Sequence, residues 1–251
     1  MIRRKVQAVL VILLLVLLFR VTFDIKTYFF GSTLVVRGAA EQGYDYVVRL
    51  PKGYHDFGAK RPLLVFLHGS GETSRNVRTL VKRDPFRCVQ GKISPADFPF
   101  IVVSPISPDR PWSPARIEFF LNALVSDKYV RYRLDPDRIY LTGHSMGGYA
   151  TFQIASEFPD KFAAIVPVAG GYIPKFAPKL KTVPTWAFHG SADDVISCED
   201  SERIIEAMQE VGAEDAHLTI LPDKGHGITE DVYSQPEIYR WFLKNKRPNK
   251  M

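Results

Sequence analysis

Gly143-His144-Ser145-Met146-Gly147 decides how this chain is read, because a serine between two glycines at this spacing is what a sharp strand-to-helix turn carrying a nucleophile requires. Such a turn forces the serine backbone into a strained conformation. The glycines on either side remove the Cβ atoms that would collide as strand and helix close on one another. Ile139 to Thr142, just before it, is an apolar run of strand length, and Tyr149 to Phe158, just after it, follows a helical pattern.

Working outward, the same rhythm repeats. Tyr44 to Leu50 alternates as a strand, and Leu63 to Leu67 and Phe100 to Ser104 are short continuous apolar runs of the kind buried on both faces of a parallel sheet. Ala163 to Val168, Thr185 to His189 and Leu218 to Leu221 read as further strands, with helical patterns at Ile117 to Leu124 and Ser201 to Val211. The alternation predicts an α/β fold with a mainly parallel, doubly wound sheet, whose ligand site lies beyond the carboxyl ends of the strands. Asp135-Pro136-Asp137 reads as a turn before the strand that delivers Gly143. Residues 70 to 98 form a long connection placed to overhang the site.

The 251 residues are enough for one large domain with a full core, expected over residues 44 to 245. The formal net charge of +6 belongs to the ends: Arg3, Arg4, Lys5 and Arg20 at one, Lys244, Lys246, Arg247 and Lys250 at the other. Without these eight the interior is slightly acidic, which excludes a general nucleic-acid signature. Residues 246 to 251 read as a basic tail.

Basic residues followed by the apolar run Val6 to Phe19, broken only by Gln7, have the order of a membrane-targeting segment. No small-x-small cleavage site follows, so residues 1 to 23 are expected to form a hydrophobic helix that acts as an uncleaved signal anchor, with a cleaved signal peptide as the alternative. Either places the domain outside the cytoplasm. Residues 24 to 43 read as a linker. In such a compartment Cys88 and Cys198 are free to pair or to remain independent thiols.

A serine hydroxyl is a weak nucleophile, so it needs a histidine to take its proton and a carboxylate to orient that histidine. Asp193 follows the strand ending in His189-Gly190, and His226 lies between Gly225 and Gly227 after the strand ending near Leu221. The chain order is Ser145, Asp193, His226. The backbone N–H groups of Met146, next to the nucleophile, and of Ser70, after the early strand, are the expected oxyanion donors. His68, His144 and His189 stand at strand ends, where packing or loop hydrogen bonds explain them, and His55 and His217 read as surface residues. No histidines at ligand spacing accompany Asp193-Asp194 or Glu199-Asp200, so no metal is expected. Neither a dinucleotide glycine fingerprint nor a GK[ST] loop is present, so no cofactor is expected.

With these residues in view, the chain from about Tyr44 to Leu243 resembles the α/β-hydrolase family, especially single-domain esterases and peptidase-like hydrolases related to carboxylesterases, acyl-protein thioesterases, feruloyl esterases and polyhydroxybutyrate depolymerases. The resemblance rests on Leu67-His68-Gly69-Ser70-Gly71, on Asp135 to Tyr140 leading into Gly143 to Gly148, and on His189-Gly190-Ser191-Ala192-Asp193-Asp194-Val195. It implies that Asp193 rather than Asp194 is the acid, and that Trp112 stands near a pocket wall or packs in the core. It also implies hydrolysis of a carboxylic ester through an acyl-enzyme. Peptide or thioester hydrolysis by the same residues is the near alternative, and a catalytically silent, membrane-tethered binding protein the distant one.

Overall fold

The computed structural model describes residues 32–36, 44–54, 58–73, 76–77, 80, 93–94, 98–126 and 132–247. Eight strands among them form one sheet: β1 Ser32–Val36, β2 Tyr46–Leu50, β3 Arg61–Leu67, β4 Ile101–Pro105, β5 Leu134–His144, β6 Ala164–Val168, β7 Thr185–Gly190 and β8 Ala216–Leu221. Their order in space is β1-β2-β4-β3-β5-β6-β7-β8. From β4 to β8 all neighbours run parallel, and β1 and β2 add an antiparallel edge.

The parallel strands are apolar without interruption because helices cover both faces. Period-two alternation divides them: Leu63, Val65 and Leu67 of β3 point to one face with Ile139 and Leu141 of β5, and Leu64 and Phe66 point to the other with Tyr140. On the first face pack α1 (Pro114–Val125), α2 (Met146–Glu157), α3 (Ala177–Leu180) and α4 (Glu199–Glu210). On the second lie α5 (Thr229–Tyr233) and α6 (Pro236–Lys244). Helix α6 starts at a proline, whose missing N–H costs nothing in the first turn, and it buries Ile238, Tyr239 and Phe242. Each such side chain contributes about 2 kcal/mol.

Chain winding reverses between β3 and β5, which are neighbours in the sheet although β4 separates them in sequence. Loops leaving two such strands diverge to opposite faces and open a crevice at their carboxyl ends. That crevice holds the segment after Leu67 and the turn at Ser145.

Three expectations change. The stretch expected to be a linker, 24 to 43, contains β1, which pairs antiparallel with β2 from Ser32 opposite Leu50 to Val36 opposite Tyr46. The turn expected at Asp135-Pro136-Asp137 lies within β5: Leu134 pairs with Arg61, the register shifts before Leu63 meets Ile139, and the Asp135 carboxylate accepts from the Asp137 amide. The turn chemistry therefore makes an irregularity inside the strand. The basic tail begins docked: Lys246 and Arg247 both pair with Asp137, and the Arg247 amide donates to the Asp137 carbonyl.

No helix among the described residues is long and apolar enough to cross a membrane. The apolar run Val6 to Phe19, with the expected N-terminal helix, lies outside the described residues, as do His55, Cys88 and most of the connection from 74 to 97.

Candidate active site

The turn after β5 is closed by steric necessity. Ser145 sits at φ 60°, ψ −118°, in the left-handed half of backbone space that side chains avoid. Its amide donates to the Val168 carbonyl of β6, which ties the strained residue to the neighbouring strand. A Cβ at Gly147 would stand 2.0 Å from the Leu67 carbonyl oxygen, and one at Gly143 would stand 2.5 Å from the Gly147 carbonyl oxygen. Only glycine lets β3, β5 and α2 approach this closely.

Ser145 is 9% exposed, and its Oγ lies 2.8 Å from His226 Nε2. His226 Nδ1 lies 2.8 Å from Asp193 Oδ2. A carboxylate only accepts, so Nδ1 carries the ring hydrogen and Nε2 is left to accept from the serine hydroxyl. Asp193 is fully buried at its side chain, whereas Asp194 is exposed. Burial works against ionisation of Asp193, but bonds from the Ile196 amide, His226 and the Val195 amide outweigh it and hold the carboxyl below the usual range.

The loops carrying the acid and the histidine are joined by backbone hydrogen bonds. The Ala192 amide donates to the Lys224 carbonyl, the Ser191 amide to the Leu221 carbonyl, and the Asp223 amide to Ser191 Oγ. A Cβ at Gly190 would stand 2.2 Å from the Lys224 carbonyl oxygen, so the first glycine of the acid loop makes this approach possible. His144, inside the turn, donates from Nε2 to the His226 carbonyl at 2.8 Å, and the two rings lie 4.8 Å apart. Burial pushes the His144 imidazole below its ordinary range, and the carbonyl bond opposes this in part.

Opposite the serine lies the segment after β3. A Cβ on Gly69 would stand 3.4 Å from Ser145 Cβ, which brings this segment against the turn. His68 beneath it is 1% exposed. The Ser107 amide donates to His68 Nε2 at 2.9 Å, so the ring hydrogen is on Nδ1 and is given to the Gly69 carbonyl at 2.7 Å. Trp112 is buried and donates from Nε1 to the His68 carbonyl, with its ring 4.7 Å from the imidazole. Of the two expectations for Trp112, the core position is the one observed. Arg110 donates to the Ser70 carbonyl and to Thr73 Oγ1, two contacts that no pattern in the sequence announces.

The two residues expected to donate to an oxyanion both stand at the start of an element. Met146 opens α2, and helix geometry gives its amide no intrahelical acceptor; the first helical bond runs from the Tyr149 amide to the Ser145 carbonyl. Ser70 opens a short 3-10 turn directly after Gly69. His217 lies on the surface, paired with Asp215 at 2.8 Å. Among the described residues no three His, Cys, Asp or Glu side chains stand together as a metal site would need, and Cys198 carries no disulfide.

Comparison with known proteins adds to this geometry. The model of the alpha/beta hydrolase fold matches residues 62–194, and that of the prolyl oligopeptidase family matches residues 172–247. An uncharacterized secreted protein of Arthroderma benhamiae is 26% identical over 237 residues, covering 77% of this chain and 24% of its own. Acyl-protein thioesterase 1 homolog 2 of Dictyostelium discoideum is 26% identical over 116 residues, 44% of this chain and 51% of its own. The crystal structure of a thermostable esterase superposes with a TM-score of 0.72 at 26% identity, covering 87% of this chain and 64% of that one. The chain thus spans about a quarter of the secreted relative's length and about half of the thioesterase's.

Proposed function

Because the chain belongs to the alpha/beta hydrolase fold family, we propose that it is a serine hydrolase that cleaves carboxylic esters through an acyl-enzyme. The observation that carries this reading is the continuous relay from Ser145 Oγ through His226 to Asp193, with both hydrogen bonds at 2.8 Å. The likeness to a thermostable esterase supports the ester as the bond attacked.

In this reading Ser145 Oγ attacks the ester carbonyl carbon while His226 Nε2 takes its proton. Asp193 keeps Nδ1 protonated and balances the imidazolium charge. The negative charge that develops on the carbonyl oxygen is met by the amides of Met146 and Ser70. Collapse of this intermediate breaks the bond to the alcohol oxygen, which receives the proton from His226, and leaves the acyl group on Ser145. Water then enters by the same route in reverse and frees the acid.

The second half of the chain also matches the prolyl oligopeptidase family over the residues that hold Asp193 and His226, which keeps peptide hydrolysis as a second reading. A secreted relative and the apolar run at Val6 to Phe19 support export of the domain, with residues 1 to 23 as anchor or cleaved signal. Aryl esters, aryl thioesters and peptide anilides, tested with wild-type protein and with Ser145→Ala, separate these readings. Esters should turn over at the highest kcat/KM and the serine variant should be inactive on all three. Preference for the anilide would replace the ester reading with the peptidase one.

A further inference from the structure

Among the buried imidazoles that the mechanism leaves unused, one touches the Asp193 carboxylate. His189, the penultimate residue of β7, and Asp193 are both 0% exposed at their side chains. His189 Nε2 lies 3.1 Å from Asp193 Oδ2, the same oxygen that takes the His226 hydrogen, and 3.0 Å from the Ile196 carbonyl oxygen. Both neighbours are acceptors only, so Nε2 carries a hydrogen and shares it between them. On its other edge, His189 Nδ1 lies 2.8 Å from Ser201 Oγ, and the one hydroxyl hydrogen of Ser201 is shared between Nδ1 and the Gly170 carbonyl after β6. Ser201 is 1% exposed.

Every acceptor direction on Asp193 is thereby occupied. The Val195 and Ile196 amides hold Oδ1 at 2.9 and 3.0 Å, and Oδ2 is divided between His226 and His189. A carboxylate held only by its own loop could rotate and carry Oδ2 off the axis of His226. A ring clamped on one side to α4 and on the other to the carboxylate prevents that.

We propose that His189 is a positioning residue for the hydrolysis: it acts through Asp193, fixes Oδ2 on His226, and is itself set by Ser201, so that the working unit is Ser145, His226, Asp193, His189 and Ser201. This rests on the ester-hydrolase reading above. The titratable groups around the ring are Asp193 on its own loop, His226 after β8, His144 in the turn after β5 and Asp200 beside Ser201. Donation to Oδ2 draws carboxylate charge away from His226. Without it the charge falls on His226 alone and favours the protonated imidazole, so the acid limb of the pH profile moves to higher pH.

Glutamine and asparagine divide the ring's two functions, since a glutamine amide nitrogen reaches the Nε2 position and an asparagine amide reaches only the Nδ1 position. With an aryl ester as substrate, His189→Asn should lower kcat about 10- to 100-fold with KM within about twofold, in the range lost when an outer partner of a functional group is removed. Its acid limb should shift upward. His189→Gln should stay within about threefold of wild type with an unmoved acid limb. Ser201→Ala, which keeps the ring and removes its anchor, should lose about 3- to 10-fold in kcat and serves if His189→Asn does not fold. Equal rates in the asparagine and glutamine variants, a loss expressed in KM, or wild-type kcat in Ser201→Ala overturns the proposal. Wild-type protein is treated in parallel with a fluorophosphonate. Labelling of Ser145 alongside unaffected variants defeats the positioning role alone, whereas an unlabelled Ser145 defeats the hydrolase reading and this inference with it.

Discussion

At Gly147, in the turn that carries Ser145, one added carbon would stand 2.0 Å from the Leu67 carbonyl oxygen; at Gly227, beside His226, it would meet nothing within 4 Å. The turn after β5 is held by exclusion of volume: two strands and a helix approach until no Cβ fits, and the strain at Ser145 is imposed by that packing. The loop after β8 is held by hydrogen bonds, from His144 to the His226 carbonyl, from the Ala192 amide to the Lys224 carbonyl, and from His226 to Asp193. The turn is therefore sensitive to size on both sides of the serine, whereas the histidine loop is sensitive to size only where Lys224 meets Gly190, and around His226 to polarity. The division suits the proposed chemistry, since the nucleophile must not move and the histidine must exchange a proton between two partners.

The largest expected effect follows from the first half of that contrast. Gly147→Ala should yield no stably folded protein, a loss above about 4 kcal/mol, because the atom it meets is backbone that cannot turn aside. A Gly147→Ala protein with wild-type thermal unfolding would break the comparison. Asp193→Asn, nearly the same size, should instead fold normally and lose about 10⁴-fold in kcat on an aryl ester, since an amide nitrogen can leave His226 in the wrong tautomer. Replacing Asp194 in the same way should have little effect, as its side chain is exposed.

Smaller effects sharpen the contrast. His144→Phe preserves ring volume and removes the donor to the His226 carbonyl, so kcat should fall about tenfold while stability drops by about 1 kcal/mol, the net value of one hydrogen bond. His68 and His144 are both held below the usual imidazole range by burial. Their stabilising effect is complete above the unfolded value near pH 6.5 and is lost as pH falls from there through the folded values, because the unfolded chain takes up protons first. Asp193, also depressed, adds a second loss below about pH 4. Unfolding midpoints measured from pH 8 to 3 should fall in these two stages, and the first should be shallower in His144→Phe. Gly227→Ala should change neither midpoint nor kcat beyond about 0.5 kcal/mol, the range of ordinary surface substitutions. A large effect there would show that the histidine loop is held by volume beyond its contact with Gly190.

The same contrast explains what could be read from the chain. Gly143, Ser145 and Gly147 announce themselves because steric exclusion leaves glycine as the only solution on both sides, and the alternation of apolar runs follows from a sheet covered on both faces. Chain order offers a carboxylate and His226 after their strands, the resemblance selects Asp193 over Asp194, and the structure sets His226 2.8 Å from Ser145 Oγ and 2.8 Å from Asp193 Oδ2. Contacts made by backbone carbonyls leave no such trace. Nothing in the identity of Lys224 or Leu221 tells that their carbonyls tie the acid loop to the histidine loop. Strand β1 lies among residues read as linker because Gly31 and Gly38 bracket it closely, leaving only the short run Thr33 to Val36 as a strand signal. Arg110 on the Ser70 carbonyl and Ser201 behind His189 are reached only through the fold, across 40 and 12 residues.

If Ser145 is the activated nucleophile proposed above, site-resolved labelling will find it. Folded wild-type protein is incubated with a fluorophosphonate, digested, and the modified residue located by mass spectrometry, with Ser145→Ala and His226→Ala alongside. One stoichiometric adduct on Ser145, no adduct in Ser145→Ala, and labelling slowed at least about 10³-fold in His226→Ala are expected. An adduct on another serine, or labelling of Ser145 at an unchanged rate without His226, would contradict that role for Ser145.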